Sequence, residues 1–194
     1  MKCLYCNEEI NVFTFKSLFI ERDLLCYKCR KTLNYHHQKF KLDNLEVESF
    51  YDYNSLFKDL LLQYKECYDE ALKEIFLYDI KDYINFKYHG YKIILIPSTK
   101  KKLEERGFNH LDLIFNHLEL KMEDGLKMKE ELTQENKGYR ERNNMINNYY
   151  YEGKSLNKAL IVDDVCTSGS SLIGAYKVLS KKAKKVKAIV LAKT

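Results

Sequence analysis

The chain has 194 residues, of which 45% are hydrophobic and 31% are charged, and its formal net charge is +5. This length and balance suit a soluble globular protein with one main domain and at most a small appendage. The sequence contains no run that approaches the roughly 20 apolar residues needed to span a bilayer. Its N-terminus also lacks the apolar core of a signal peptide, so we expect a cytoplasmic protein without membrane insertion.

Four of the six cysteines lie near the N-terminus in two C-x2-C pairs, Cys3 with Cys6 and Cys26 with Cys29. Each pair can present two thiolates to one ion, and two pairs complete the tetrahedron of a four-cysteine zinc site. Because four thiolates leave no open coordination position, the zinc would be structural; redox chemistry and unpaired thiols are the alternatives. Residues 1–40 are therefore predicted to form a zinc-binding module, in which His36 and His37 are interpreted as solvated loop residues.

A strand and a helical region are predicted to follow this module. Residues 45–53, LEVESFYDY, are rich in β-favouring types and predict the strand. Residues 53–84 carry apolar side chains at helical spacing, with Asn54 or Ser55 as the cap. They predict two helices, or one long helix with a break near Cys67, which is interpreted as a packing residue.

The middle of the chain begins with a short apolar run. Residues 91–97, YKIILIP, predict a strand that is buried on both faces and closed by proline. Residues 103–120 predict a loop that turns helical, with a break around Gly107. Residues 124–153 are polar, charged and weakly periodic, which is typical of a functional or mobile segment.

The C-terminal residues predict a βαβ unit with a right-handed crossover. Its strands are residues 158–165 and 185–193, and its helix is residues 170–183. The expected fold class is therefore an α/β parallel sheet flanked by helices, formed by residues 41–194 behind the zinc module.

The stretch LIVDDVCTSGSS joins this first strand to the helix. Its turn combines Gly169, which permits close approach, with hydroxyl side chains and the positive end of the helix dipole, so it predicts a monophosphate cradle. It is not a nucleotide P-loop, because Ala175 stands where that motif needs lysine. Asp163 and Asp164 would repel a phosphate unless they bind sugar hydroxyls or a hydrated magnesium ion. The combination describes a ribose 5-phosphate; an acid pair that only caps the helix is the alternative.

The same stretch resembles the phosphoribosyltransferase signature for phosphoribosyl pyrophosphate (PRPP). The resemblance implies that the two acids contact the ribose hydroxyls, that the turn holds the 5-phosphate, and that Mg²⁺ accompanies the ligand. The PRPP-binding residues that it implies are Asp163, Asp164, Val165, Cys166, Thr167, Ser168, Gly169, Ser170 and Ser171. No general base and no catalytic thiol are identified.

The order of motifs along the chain is similar to the ComF family of phosphoribosyltransferase-like proteins linked to natural competence. The four-cysteine module comes first, then YKIILIPSTKKKLEERGFNHLDL, then the PRPP loop. His110 departs from the family's glutamine, as does Asn136. The resemblance implies a type I phosphoribosyltransferase-like domain that acts in the uptake or processing of transforming DNA. Single-stranded DNA and the helicase-like ATPase of the competence machinery are the partners it implies.

Two polar segments supply candidates that would meet the pyrophosphate of PRPP, and a solvated charged surface is the alternative for each basic residue. The candidates are Ser98, Thr99, Lys100, Lys101, Arg106, Lys137, Arg140 and Arg142. Two other functions stay open. One is an active phosphoribosyltransferase of nucleotide or related metabolism without a DNA role. The other is a nucleic-acid-binding accessory that uses the lysines of SKKAKKVK (180–187), with Tyr149–Tyr151 either stacking bases or packing in a strand.

Overall fold

The computed structural model describes residues 1–10, 23–67, 69–129 and 148–194. Within these residues the chain forms seven strands. They are β1 (Tyr35–Leu42), β2 (Leu45–Asp52), β3 (Lys92–Leu95), β4 (Leu126–Met128), β5 (Tyr149–Tyr151), β6 (Leu156–Cys166) and β7 (Ala183–Lys193). Five of them form one sheet in the order β1-β2-β7-β6-β3, and β4 and β5 form a separate antiparallel pair.

Seven α-helices are present in the described residues. They are α1 (Tyr27–Leu33), α2 (Ser55–Glu66), α3 (Lys73–Leu77), α4 (Lys81–Lys87), α5 (Lys100–Arg106), α6 (His110–Phe115) and α7 (Ser170–Leu179), and a 3₁₀ turn spans Glu70–Leu72. The Asn54 side chain accepts a hydrogen bond from the Phe57 N–H at 2.9 Å, which confirms it as the cap of α2. The predicted break after α2 is also confirmed. Cys67 is its exposed C-cap residue, so the expected packing role was wrong.

The α/β sheet predicted from the sequence is confirmed, and four of its five strands are parallel. β2 pairs with β7, β7 with β6, and β6 with β3, all in parallel. The βαβ unit consists of β6, α7 and β7, and α7 packs against both strands and against β5. Along β6 the residues from Ala159 to Val162 are fully buried, as expected for a parallel strand covered on both faces.

β1 was not expected as a strand. It starts two residues after α1 ends and pairs antiparallel with β2, so the predicted module boundary at residue 40 falls inside it. The interpretation of His36 and His37 as loop residues is corrected accordingly. His36 Nδ1 lies 2.8 Å from Asp52, and the ring of His37 stacks on Phe50 at 5.1 Å. These cross-strand contacts stabilise a strand that has little apolar alternation of its own.

The segment after β3 differs from the predicted loop because residues 100–106 are already helical. Gly107 has a φ of 73° and ends α5, which confirms the predicted break, and α6 follows after two residues. Beyond α6, the chain returns to the sheet and runs beside β3. There the Ile93 N–H donates to the Lys121 carbonyl, and the Glu123 N–H donates to the Ile93 carbonyl, both at 2.9 Å.

Rings from three elements form the core on which the site residues rest. Tyr51 of β2 lies 5.9 Å from Phe57 of α2, and Phe57 lies 5.7 Å from Phe76 of α3. Tyr64 of α2 then lies 5.9 Å from Phe76 and 5.8 Å from Phe108. Such edge and tilted ring pairs add to area burial, so α2 and α3 are held firmly to the sheet and to the start of α6.

Candidate functional site

The four N-terminal cysteines, called here the cysteine cluster, come together in space. Their sulfur atoms all lie within 4.8 Å of one another, and the sulfurs of Cys6 and Cys26 are 3.6 Å apart. In a tetrahedral zinc–thiolate site with Zn–S near 2.3 Å, sulfurs would be roughly 3.8 Å apart. The four are free thiols rather than disulfides, and three of them are buried. The donor set therefore fits a metal ion such as zinc.

Local backbone geometry prepares the cluster for an ion. Asn7, in the left-handed region at φ 61°, donates its N–H to the Cys3 carbonyl at 3.0 Å and closes the first knuckle. Burial raises the pKa of the Cys3 thiol, but the N–H groups of Cys6 and Cys26 outweigh it and lower the pKa to about 7. Burial and the three neighbouring sulfurs raise the pKa of Cys29. A bound cation would stabilise the thiolate of Cys29 and so offset this rise in pKa.

Arg30 connects the cluster to the rest of the protein, and no motif in the sequence indicated this residue. From α1, next to Cys29, its guanidinium bonds Asp23 at 2.6 and 2.8 Å. It also reaches Asp79 and the carbonyl of Ile75, both at 3.1 Å, and lies 4.8 Å from the ring of Tyr78. A fixed guanidinium with several partners is a strong link, so the cluster is held against α3 and the segment that follows it.

Residues 163–171, called here the acid-pair loop, are at the carboxyl end of β6 and the start of α7. Thr167 and Ser168 are exposed, Ser170 and Ser171 are partly buried, and the hydroxyls of Ser168 and Ser170 are 2.9 Å apart. Val165 is partly buried and Cys166 is buried beneath the loop. The hydroxyl groups predicted to act together are therefore adjacent, at the amino end of a ten-residue helix.

Gly169 is required by the backbone and by its neighbour. Its φ of 73° is in the left-handed region, which residues with a Cβ disfavour. A Cβ added there would lie 2.5 Å from Cδ1 of Leu42, the last residue of β1. The acid-pair loop thus packs directly on the unexpected strand.

The two acids of the loop have different surroundings. Asp164 is 8% exposed, and its Oδ2 accepts from His110 Nε2 at 2.6 Å and pairs with the ammonium of Lys65. Asp163 is partly exposed, and its Oδ1 accepts the Asp164 N–H at 2.9 Å. Burial and the charge of Asp164 raise the pKa of Asp163 to about 8. Burial alone would also raise the pKa of Asp164, but the bonds from His110 and Lys65 outweigh it and lower that pKa.

Three residues that contact the loop come from distant segments. Lys65 had no sequence signal, His110 was noted only as a departure from a motif, and Tyr149 was one of three tyrosines with an open role. Burial raises the pKa of Tyr149, whose hydroxyl hydrogen-bonds the side chain of Ser171. Tyr149 and Tyr151 are buried in β5, which agrees with packing in a strand rather than with stacking on bases.

The residues predicted to contact pyrophosphate have different positions in the structure. Ser98 and Thr99 follow β3, and the N–H of Ile96 donates to the Val162 carbonyl at 3.1 Å, which puts this segment beside the acid pair. The Thr99 hydroxyl accepts from the Lys102 N–H at 3.4 Å and caps α5. Lys100 and Lys101 form the start of that helix rather than a loop.

Of the candidate arginines, Arg106 is the one that the described residues include. Arg106 lies 3.2 Å from Glu66, and only 13% of its side chain is exposed. Lys137, Arg140 and Arg142, like Asn136, lie outside the described residues.

A cavity of about 890 Å³ opens between the start of α5 and the β4–β5 pair. Ser98, Thr99 and Lys100 line it on one side, and Met128 and Tyr150 line it on the other. None of residues 163–171 is part of its wall. Since β3 and β6 are neighbours and Tyr149 touches Ser171, the cavity lies next to the acid-pair loop and separate from it.

Comparison with known proteins supports one relationship. No protein-family model matches the chain. The chain is 25% identical to the competence protein ComFC of Streptococcus pneumoniae (strain ATCC BAA-255 / R6), over 221 aligned positions that cover all of both chains. This full-length similarity confirms the resemblance predicted from the motifs. Within the described residues, no helix is long and apolar enough to cross a membrane.

Proposed function

We propose, from the relationship to ComFC, that the chain is a phosphoribosyltransferase-like protein that binds PRPP and acts in natural competence. The relationship itself suggests a competence-related function. The acid-pair loop carries the more specific claim, because two carboxylates at a strand end precede a hydroxyl-rich turn at a helix N-terminus. In parallel α/β sheets this edge is where ligands bind.

The loop's groups suit the two ends of a ribose phosphate. Amides and hydroxyls of residues 167–171 would hold the 5-phosphate, with the dipole of α7 favouring its charge. The acid pair would supply the contact to the ribose hydroxyls and accompany a hydrated Mg²⁺, which supplies charge neutralisation for the pyrophosphate. Ser98, Thr99 and Lys100 come from the neighbouring strand's end and are the proposed contacts to that pyrophosphate.

Calorimetry with PRPP and Mg²⁺ tests this site in zinc-replete, full-length protein. We expect saturable binding by the wild type, and at least about tenfold weaker binding by Asp163→Ala/Asp164→Ala, because the hydroxyl contacts are lost. Glu152→Gln is the matched control, since Glu152 is exposed and outside the loop. Wild-type protein that fails to bind PRPP would remove the proposal.

For the cysteine cluster we propose a structural zinc ion. Metal analysis should find about one zinc per chain. Cys26→Ser/Cys29→Ser should lose it, whereas Cys67→Ser should keep it, because Cys67 is exposed and lies outside the cluster. Protein purified without chelator and free of zinc would contradict this assignment.

DNA binding is a second proposed property, supported by a group of lysines in the loop that precedes β7 and in its first residues. Lys181, Lys182, Lys184 and Lys185 are exposed, whereas Lys187 pairs with Glu46 at 2.7 Å. These four exposed residues, called here the lysine cluster, lie at the amino edge of the sheet and the acid-pair loop lies at the carboxyl edge. Single-stranded DNA and a helicase-like ATPase are the partners implied by the ComF resemblance.

A screen for pyrophosphate release separates a binding protein from an active phosphoribosyltransferase of nucleotide or related metabolism. The protein would be incubated with PRPP, Mg²⁺ and candidate acceptors, which include amines, nucleobases and nucleic acids. Release with an acceptor, together with negligible DNA affinity at low salt, would favour the metabolic enzyme. PRPP and DNA binding without release would favour the competence protein.

A further inference from the structure

The two carboxylates of the acid pair are adjacent in sequence but have opposite surroundings. Asp163 is partly exposed, and its Oδ1 accepts a hydrogen bond from the N–H of the next residue. Asp164 is almost fully buried and faces the helices behind the sheet, where it meets Lys65 and His110. Successive side chains of a strand point to opposite faces, so one acid turns outward when the other turns inward.

The partners of Asp164 are themselves held in place. Lys65 is in the last turn of α2, and the residue before it, Tyr64, donates its hydroxyl to the carbonyl of His110 at 2.9 Å. His110 is 5% exposed and is the first residue of α6, where the Asn109 side chain caps the helix. Two different helices therefore bring one cation and one imidazole to the same oxygen of Asp164.

We propose that the acid pair divides its work: Asp163 contacts the sugar hydroxyls, and Asp164, held by Lys65 and His110, positions the loop without touching the ligand. This inference rests on the proposed PRPP binding and specifies how that same site works. Lys65 and His110 are then positioning residues. They fix the end of β6 and hence the direction in which Asp163 and the following turn are presented.

The charges around the pair agree with this division. Lys65 from α2 and His110 from α6 face Asp164, with Arg106 of α5 near His110. Lys102 of α5 and Tyr149 of β5 lie near Asp163. Burial lowers the pKa of His110 despite the neighbouring carboxylate, so the imidazole acts as a neutral donor and Lys65 supplies the compensating charge.

The deciding experiment measures PRPP affinity in full-length, zinc-replete protein for four variants. They are Asp163→Asn, Asp164→Asn, Lys65→Met and Lys65→Met/Asp164→Asn. We expect each single variant to bind at least about tenfold more weakly than the wild type. Asp163→Asn loses the ligand contact, whereas the other two leave one buried partner without its counter-charge.

The double variant distinguishes positioning from contact. Removing both members of a buried pair is often close to neutral, so Lys65→Met/Asp164→Asn should recover to within about threefold of the wild type. If Asp164 touches the ligand, the double variant stays as weak as Asp164→Asn, and the inference is wrong. Wild-type protein that binds no PRPP would instead overturn the proposed function, and this inference with it.

His110 supplies an independent measurement if a Lys65 variant does not fold. Glutamine can donate an amide N–H to Asp164, so His110→Gln should bind PRPP within about threefold of the wild type. His110→Ala removes the donor and should bind at least about tenfold more weakly. Equal affinity of the alanine variant and the wild type would contradict the positioning role.

Discussion

Replacing Gly169 by alanine tests the contact between the acid-pair loop and β1. The substitution adds a Cβ at a left-handed residue, which costs about 1 kcal/mol after the gain in unfolded-state entropy is included. The new atom would also lie 2.5 Å from Cδ1 and 3.1 Å from Cδ2 of Leu42. These methyl groups are at the end of a side chain that can move, so the clash is relieved by local repacking. Such overpacking should add about 1–3 kcal/mol. We expect Gly169→Ala to lose about 2–4 kcal/mol of unfolding free energy.

Gly90→Ala is the matched control. Gly90 has a φ of 79°, close to that of Gly169, but a Cβ there meets no atom within 4 Å. Urea unfolding of both variants therefore separates the backbone cost from the contact with Leu42. In Gly169→Ala/Leu42→Ala the contact is relieved, so the effect of the glycine substitution should fall toward that of Gly90→Ala.

Equal losses of stability in Gly169→Ala and Gly90→Ala, within about 0.5 kcal/mol, would show that the contact with Leu42 adds no cost, because that difference is at the limit of additivity. The same variants report on the proposed ligand. Since the shifted backbone carries the N–H groups at the start of α7, Gly169→Ala should also weaken PRPP binding, while Gly90→Ala should not.

Three further predictions concern features away from the loop. Arg30→Met should cost about 2 kcal/mol in urea unfolding, since the largely buried guanidinium loses its charged hydrogen bonds to Asp23 and Asp79. Exposed Lys31→Met should cost little, and equal costs would contradict the link. Burial alone would raise the pKa of Glu48, but bonds from its neighbours outweigh it and lower the pKa below 4.5, so its stabilisation is present above pH 4.5 and is lost as the pH falls through the folded-state value. The stability advantage of wild type over Glu48→Gln should therefore shrink below pH 4.5 in urea titrations, and a constant difference would refute this. Lys184→Glu/Lys185→Glu should weaken single-stranded DNA binding and its salt dependence without changing PRPP affinity, and unchanged DNA affinity would remove the lysine cluster's role.

Elements with strong local signals could be predicted from the sequence. The all-apolar run before Pro97 and the run that ends in the acid pair became β3 and β6, and Asn54 capped its helix. β1 could not be predicted in this way, because YHHQKFKL has few apolar residues and its strand depends on pairing with β2. Strand propensity is a property of a segment alone, whereas an edge strand such as β1 depends on its hydrogen bonds to the neighbouring strand.

The site shows the same limit. The acid-pair loop is contiguous, so its residues could be recognised together. Lys65 and His110 lie far from Asp164 in sequence, and only packing of α2 and α6 on the sheet brings them to one oxygen. A lysine in the last turn of a helix ordinarily indicates a solvated residue or a favourable helix-end charge. Its role as a buried counter-charge depends on tertiary structure.

The two outer strands of the sheet also bear on self-association. A bare edge offers unpaired N–H and C=O groups to a second chain, which is a route to aggregation. On the β3 side, the backbone of residues 121 and 123 bonds the N–H and the C=O of Ile93. On the β1 side, Lys39 and Lys41 are exposed along the outermost strand, and another copy of that strand would bring like charges together. The strand that braces the acid-pair loop through Leu42 thus also discourages sheet extension from one molecule to the next.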